Sequence, residues 1–291
     1  MNFTKEQRQN YFTLVGTISA IDIQENTSAA GVPYIRGTIT VKTNESEFNV
    51  HFFEMKKWKI GQPDERPNPR FEEIQNLGNG NPVRFSCALE ENKFAGRDGT
   101  IVSNEQLTLN FINKPNQNDE PGLTFDMVGV VLSPLAEVKN EADELIAYEI
   151  KIGQGQYRAD RGFSIVSLNV DPNMNSAVNF IRDNYKLNDT VRVSGRGKSI
   201  IETTTKKTEA LFGEPVVETY QNHKTNYFIE GGLQVSDAMR YSEEEIKALT
   251  LATQQFEESE KQRAAAQPKQ ATSFNDAGPA SSGGLAGMLG V

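Results

Sequence analysis

Apolar and polar residues alternate along most of the first 236 positions. Ile35, Gly37, Ile39 and Val41 fall on one side of a chain whose other side carries Arg36, Thr38, Thr40 and Lys42, which is the period-two signature of a half-buried strand. Phe48, Val50 and Phe52 oppose Asn49, His51 and Phe53 in the same way. Helical spacing is predicted in two short stretches, Pro69 to Leu77 and Met174 to Tyr185, the second with Ala177, Val178, Ile181 and Tyr185 on one face. After Val235 the pattern changes. Ser242, followed by Glu243, Glu244 and Glu245, forms a capping box that opens a helix of roughly 25 residues. From Pro268 to Val291 the chain is mostly Gly, Ala, Ser and Pro, a composition too thin to pack and so predicted to be disordered.

The strand-like runs occur twice. YFTLVGTISAI (Tyr11 to Ile21) is echoed by TFDMVGVVLSPL (Thr124 to Leu135), with Gly16 matching Gly129. Four more pairs follow in the same order: Ile35 to Lys42 with Tyr148 to Gly153, Phe48 to Phe53 with Phe163 to Val170, Val83 to Leu89 with Val191 to Arg196, and Leu107 to Ile112 with Tyr227 to Val235. Each half thus reads β-β-β-α-β-β, the order of a five-stranded OB barrel in which a glycine lets the long first strand bend into both sheets. The fold class expected is mainly β: two tandem OB-fold domains, residues 1–113 and 123–236, joined by a polar linker at 114–122. A C-terminal helix at 237–267 and a disordered tail at 268–291 follow.

Composition agrees with two small cores. At ~150 residues per domain, 291 residues suggest two units, and 37% hydrophobic content suits modest barrels. The net charge of -9 excludes a polycation that coats nucleic acid by bulk charge, so any anion binding must be local. Residues 1–118 carry 13 basic and 14 acidic groups, whereas 119–236 carry 12 and 17, leaving the first unit room for a basic face. One cysteine, Cys87, rules out an internal disulfide and a multi-cysteine zinc site, and a reducing cytoplasm is the expected setting. There is no apolar signal core and no run of 18 apolar residues, so no membrane role is expected.

An enzyme would need a constellation that the sequence does not display. GRGKS (Gly195 to Ser199) ends like a phosphate-binding loop, but Arg192 stands where the first glycine is required. With only His51 and His223, a histidine metal site is not expected, and neither a catalytic residue, a metal nor a cofactor is assigned. Cys87 shares its strand face with Val83, Phe85 and Leu89 and reads as core.

Binding chemistry is better represented. Single-stranded nucleic acid is held by flat side chains that stack on bases and cations that follow phosphates, and OB barrels offer both on the outward face of strands two and three and in nearby loops. In the first unit that set is Tyr34, Arg36, Lys42, His51 and Phe53, then Lys56, Lys57, Trp58 and Lys59, with Arg84 outward on strand four and Lys93, Phe94 and Arg97 in the loop between strands four and five. In the second unit it is Lys151, Tyr157, Arg158, Arg161 and Phe163, then Arg192, Arg196 and Lys198, and, along a long connection ending at Asn226, Lys206, Lys207, Tyr220 and Lys224. The two sets are expected to line one continuous groove.

With this tandem unit, acidic balance and Gly-rich tether, the chain resembles the tandem-OB single-stranded DNA-binding proteins of large bacteriophages. The resemblance implies a non-catalytic protein of DNA replication, recombination or repair that coats exposed single-stranded DNA in the host cytoplasm. It also implies recruitment of replication or recombination proteins through the tail, although this tail ends GGLAGMLGV and not in an acidic tip. The alternative is an OB-fold structural or protein-interaction module of a viral assembly.

Overall fold

The computed structural model describes residues 3–96, 99–140, 142–156, 159–208 and 216–266; the predicted tail falls outside them. The first half runs β1 (Asn10–Thr27), β2 (Pro33–Lys42), β3 (Glu47–Met55), a small ribbon of β4 (Lys57–Trp58) and β5 (Arg66–Pro67), α1 (Pro69–Gln75), β6 (Pro82–Ala95) and β7 (Ile101–Asn113). β1 pairs with β6 through its first half and with β2 through its second. β2 pairs with β3, β3 lies parallel to β7, and β7 returns to β6, so the ring closes as the OB barrel expected.

The second half repeats the plan with β8 (Gly122–Val131), β9 (Ala136–Lys139), β10 (Leu145–Gly155), β11 (Phe163–Val170), α2 (Asn175–Asn184), β12 (Thr190–Thr208) and β13 (Val216–Leu233). Its ring closes through β8, β10, β11, β13 and β12, and β11 again lies parallel to β13. β8 and β9 together stand where β1 stands alone: both pair with β10, and the break between them contains Pro134, which has no N–H to give a ladder. Gly16 and Gly129 occupy the crossing of first and second strands. A Cβ at Gly16 would lie 2.5 Å from the Lys42 carbonyl oxygen, and one at Gly129 2.4 Å from Ile152 Cγ2, so only glycine allows the strands to pass this closely.

The barrels are fused and not merely tethered. β1 and β8 pair antiparallel, Asn10 with Met127 through Val15 with Gly122, which merges both barrels into one eleven-stranded sheet. Beneath that seam Phe12 stacks on Phe125 at 5.3 Å, and the Tyr227 ring stands edge-on to Phe12 at 5.4 Å. All three are buried in one hydrophobic cluster that spans both halves. Each fully buried large side chain there contributes roughly 1.5–3 kcal/mol, so separating the barrels would forfeit several such terms at once.

The repeat is also visible as reciprocal contacts. Val15 pairs with Arg84 and Val128 with Arg192, so position 84 corresponds to 192 and, seven residues on, Glu91 to Ser199. Glu91 N donates to Ser164 Oγ of the other barrel at 3.2 Å, while Ser199 N donates to Ser46 Oγ at 3.3 Å. Each barrel therefore extends its β6–β7 or β12–β13 hairpin onto its neighbour, in a quasi-twofold arrangement. Both hairpins carry a bulge at the matching place, Ser86/Cys87 and Ser194/Gly195.

One element breaks the symmetry. The predicted C-terminal helix, α3 (Glu243–Ala266), opens with the capping box: Ser242 N donates to Glu245 Oε2 at 2.8 Å and Glu245 N to Ser242 Oγ at 3.2 Å. Its buried positions Ile246, Leu249, Thr253 and Glu260 recur at helical spacing, and the first three face the second barrel. There Ile246 and Leu249 join Phe3, Val130, Phe163 and Tyr241 in a separate small core. Thr253 Oγ1 accepts Phe163 N at 2.8 Å. Gly162 is in the left-handed region at φ 74°, and a Cβ there would meet Thr253 N at 2.3 Å, so the turn before β11 needs glycine for both reasons. Among the described residues no helix is long and apolar enough to cross a membrane.

Candidate nucleic-acid interface

The outward ladder of β2 and β3 brings the first predicted set together. In register, Tyr34 lies opposite Met55, Arg36 opposite Phe53, Thr38 opposite His51, Thr40 opposite Asn49 and Lys42 opposite Glu47. Tyr34 and Phe53 meet diagonally with ring centroids 5.1 Å apart, and Phe53 is 43% exposed. Tyr34 stands in β2 itself, which fixes its ring on the sheet. Inward-pointing Ile35, Ile39, Val41, Phe48, Val50 and Phe52 are buried, so the period-two pattern holds the rings and cations outside by anchoring every second residue inside. Arg36 Nε donates to Gln24 Oε1 at 3.3 Å, and Lys42 and Lys56 are exposed. Among the described residues, none of these three cations is in an ion pair.

His51 is half-buried on this ladder, 3.3 Å from Thr38 Oγ1 through Nδ1, and burial lowers its pKa. The imidazole is therefore neutral at pH 7 and adds a flat polar surface but no charge. The β4–β5 ribbon begins where Lys56 N donates to the Pro33 carbonyl at 2.9 Å, beside Tyr34. Its Trp58 is half-buried under the Arg66 guanidinium, 5.2 Å from the ring centroid. Lys57 pairs with Glu65 at 2.7 Å and Lys59 pairs with Asp64, so the ribbon's lysines are balanced within it. Behind the ribbon, buried Glu54 accepts Asn68 Nδ2 at 2.7 Å and pairs with Arg70 at 3.0 Å, while Asn68 caps α1, which ties ribbon to barrel.

Several predicted residues are engaged elsewhere. Phe163 keeps the outward parity of β11 but is 2% exposed, because α3 roofs it. Lys93 lies within β6, its side chain 8% exposed between Glu91 at 3.4 Å and Glu257 of α3 at 3.0 Å, so it joins helix to hairpin and does not face solvent. Phe94, in the same strand, is 45% exposed near the hairpin tip. Arg161 stacks over Phe256 of α3 at 5.5 Å. Arg192 makes a two-pronged contact with Asp126, 2.9 and 2.6 Å, while Arg84 Nε lies 3.4 Å from Asp119 Oδ2 without a hydrogen bond, so each of these matched arginines faces a carboxylate but only Arg192 is clamped by one. Arg196 is exposed and pairs with Glu230 at 3.2 Å. Lys151 and Lys224 are exposed, and Lys198 sits 5.3 Å over the Phe228 ring. The predicted long connection from Lys198 is a paired ribbon, β12 and β13 in register from Lys198 with Asn226 to Thr208 with Val216. Arg97, Tyr157 and Arg158 lie outside the described residues, as do the side chains of Lys206, Lys207 and Tyr220.

The continuous two-barrel groove is not what the described residues form. Matched through the parallel rungs Val50 with Leu107 and Leu168 with Tyr227, His51 corresponds to Asn169 and Phe53 to Asp171; across the ladder Thr38 corresponds to Glu149. The second ladder thus presents carboxylates where the first presents a ring and a hydroxyl. Its turn end lies under α3, and its β11 edge is occupied by the first barrel. Glu91 Oε2 accepts Ile165 N at 2.7 Å and Glu105 Oε1 accepts Ser167 N at 3.0 Å, alternate N–H groups of a strand edge that β13 pairs only from Leu168 onward. Glu91 and Glu105 are directly opposite each other, and burial first, then Glu91 and Glu149, pushes the Glu105 carboxyl up to about 7.

Sequence alternation missed three surface rings. Tyr11 is 53% exposed and Phe111 63%, the latter under the Arg70 guanidinium at 5.8 Å, and Phe228 lies opposite Arg196. Leu107, Leu109 and Phe111 read as one face, but the register passes from Cys87 with Leu109 to Ser86 with Phe111, and the extra residue turns Phe111 outward. Cys87 is buried, and burial pushes its thiol up to about 12, as befits core and not a nucleophile. Among the described residues no group of three His, Cys, Asp or Glu is placed to hold a metal ion.

Two crystal structures of the single-stranded DNA-binding protein from Thermus aquaticus, a deletion mutant and the wild type, align with this chain at 11% identity. Their TM-scores are 0.48 and 0.47, covering 79% of this chain and 96% and 94% of theirs. A replication protein A heterotrimer bound to ssDNA aligns at 12% identity and TM-score 0.21, over 77% of this chain and 50% of that one. No curated protein matches the chain in sequence. Residues 8–263, which take in both barrels and nearly all of α3, match the family model described as YorF, and the chain belongs to the YorF family.

Proposed function

We propose that this protein binds single-stranded DNA without turnover, coating and protecting exposed strands during replication, recombination or repair. The observation that carries the reading is the open Tyr34–Phe53 pair, 5.1 Å between centroids, set on a barrel's outward ladder beside Arg36 and Lys56, with Lys42 at the far end of the same ladder. Two adjacent partly exposed rings accept bases of any sequence because every base has a π-face, and neighbouring cations follow the phosphates. Trp58, the only tryptophan, reports from the ribbon next to this ladder. Titration with oligo(dT) at two salt concentrations is expected to quench its fluorescence, with affinity falling steeply as salt rises. Undetectable binding at low salt would end the reading.

A second reading, a protein-docking role, is favoured by the outer face of the fused sheet. There Arg84, Arg192 and Arg196 are each matched by a carboxylate, while Tyr11 and Phe111 protrude. Such a neutral aromatic surface suits a protein better than a phosphate chain. Both roles can coexist on opposite ladders, with the C-terminal tail as a further recruiting segment.

A further inference from the structure

The β4–β5 ribbon has no counterpart in the second barrel. The first barrel takes residues 56–68 to pass from β3 to α1, whereas the second takes only 171–174 to pass from β11 to α2. Closing a barrel does not require the ribbon, so its make-up calls for another reason. Within it Lys56, Lys57, Lys59 and Arg66 stand against Asp64 and Glu65, a cationic surplus in a chain whose net charge is -9. The ribbon also joins the open ladder directly. Lys56 N donates to the carbonyl of Pro33, the residue before Tyr34, and Lys57 follows Phe53 by four positions, at most about 14 Å along the chain. A strand that leaves the Tyr34–Phe53 rings on this side meets the ribbon next.

There an anion is already in place. Glu65 Oε1 accepts Lys57 Nζ at 2.7 Å and Oε2 accepts Gly61 N at 3.0 Å, so one carboxylate spans an ammonium and a backbone N–H. The hydrogen bond from Lys57, then that from Gly61, holds the Glu65 carboxyl below the usual range. A phosphodiester presents the same pattern, two oxygens on one anionic centre, and takes the same kinds of donor. With the Lys57 and Glu65 side chains 53% and 32% exposed, the contact is of the weak kind that exchanges readily. We propose that Lys57 Nζ and the Gly61 N–H form a phosphodiester subsite that Glu65 fills in the free protein, and that single-stranded DNA enters the ribbon by displacing Glu65. The inference rests on the single-strand reading above and adds a built-in competitor to it. A small free anion has little advantage over a carboxylate tethered in the same loop. A strand already stacked on the rings has one, because its next phosphate arrives at high effective concentration. The subsite thus opens to a polynucleotide and stays closed to small anions.

The test is titration of the full chain with fluorescent oligo(dT), read by anisotropy over a series of salt concentrations. Glu65→Gln removes the competing charge and should raise affinity about two- to fivefold at low salt, the range of one exposed ion pair. Its plot of log affinity against log salt should also steepen, by up to ~0.7 for one phosphate newly neutralised. Glu73→Gln makes the same change of net charge at an exposed position on α1, and should gain less and keep the wild-type slope. Adding Lys57→Ala to Glu65→Gln should cancel the gain and restore that slope, since the cation that receives the phosphate is gone. An affinity for Glu65→Gln no higher than wild type would overturn the inference while leaving single-strand binding intact. So would a gain that Glu73→Gln matches or that survives Lys57→Ala. Binding of oligo(dT) by neither the wild type nor Glu65→Gln would instead overturn the functional reading beneath it.

Discussion

The same strand pair in the two barrels has opposite surroundings. On the first barrel the ladder of β2 and β3 is open and carries Tyr34, Phe53 and cations that, among the described residues, are in no ion pair. On the second barrel the ladder of β10 and β11 carries Glu149 and Asp171, its edge is bonded to Glu91 and Glu105, and its turn lies under α3. A duplicated barrel has thus divided its surfaces: one copy leaves this face open, and the other uses it to hold the molecule together. The difference lies in the outward residues and in what covers the sheet, since the barrel closure and the hairpin bulge are shared.

The largest effect expected from breaking this division is at the roof. Leu249→Ala removes a side chain 1% exposed from the small core over β11 and should cost about 2–5 kcal/mol of stability, read as a lower thermal midpoint. Oligonucleotide affinity of the folded fraction should stay unchanged, since the first ladder does not depend on the helix. An equal loss of DNA affinity at temperatures where the variant is folded would show that α3 supports both faces.

Next comes the clasp between hairpin and β11. Glu105 has a folded-state pKa of about 7 against an ordinary value of 4.5. The folded state holds its proton more tightly, so the stability due to this group is intact at acid pH and is lost as pH rises through about 7. Glu105→Gln keeps an acceptor for Ser167 N without the charge. It should therefore match the parent at pH 4.5 and exceed it by up to about 3 kcal/mol at pH 8. Denaturant unfolding across that range checks it, and a constant difference at all pH values would contradict the assignment.

A smaller effect is expected on the second ladder. Lys151→Ala removes an exposed cation from a surface that also bears Glu149, and should change oligo(dT) affinity less than twofold. A loss as large as that from a stacking ring would restore the two-barrel groove.

Much of the fold was legible because alternation and duplication are written in the residues: Ile35 to Val41, the matched Gly16 and Gly129, and the Ser242–Glu245 cap all appear where expected. The first ladder of the candidate site was legible for the same reason. What escaped depends on long-range contact. Phe163 alternates outward as any surface ring would, and only docking of a helix almost ninety positions later buries it. Lys93 reads as a loop lysine until Glu257 closes on it. Phe111 reads as core because a single-residue bulge leaves no mark in an apolar pattern. The acidic edge clasp was hidden as well, since Glu91 and Glu105 acquire meaning only from the unpaired N–H groups of a strand in the other barrel.

The most direct measurement is the oligo(dT) affinity of Phe53→Ala and Tyr34→Ala set beside that of Lys151→Ala in the full chain at one low salt concentration. A loss of about 1–3 kcal/mol for each ring, with Lys151→Ala near wild type, is what an interface on the first barrel predicts. Wild-type affinity in both ring variants would contradict it.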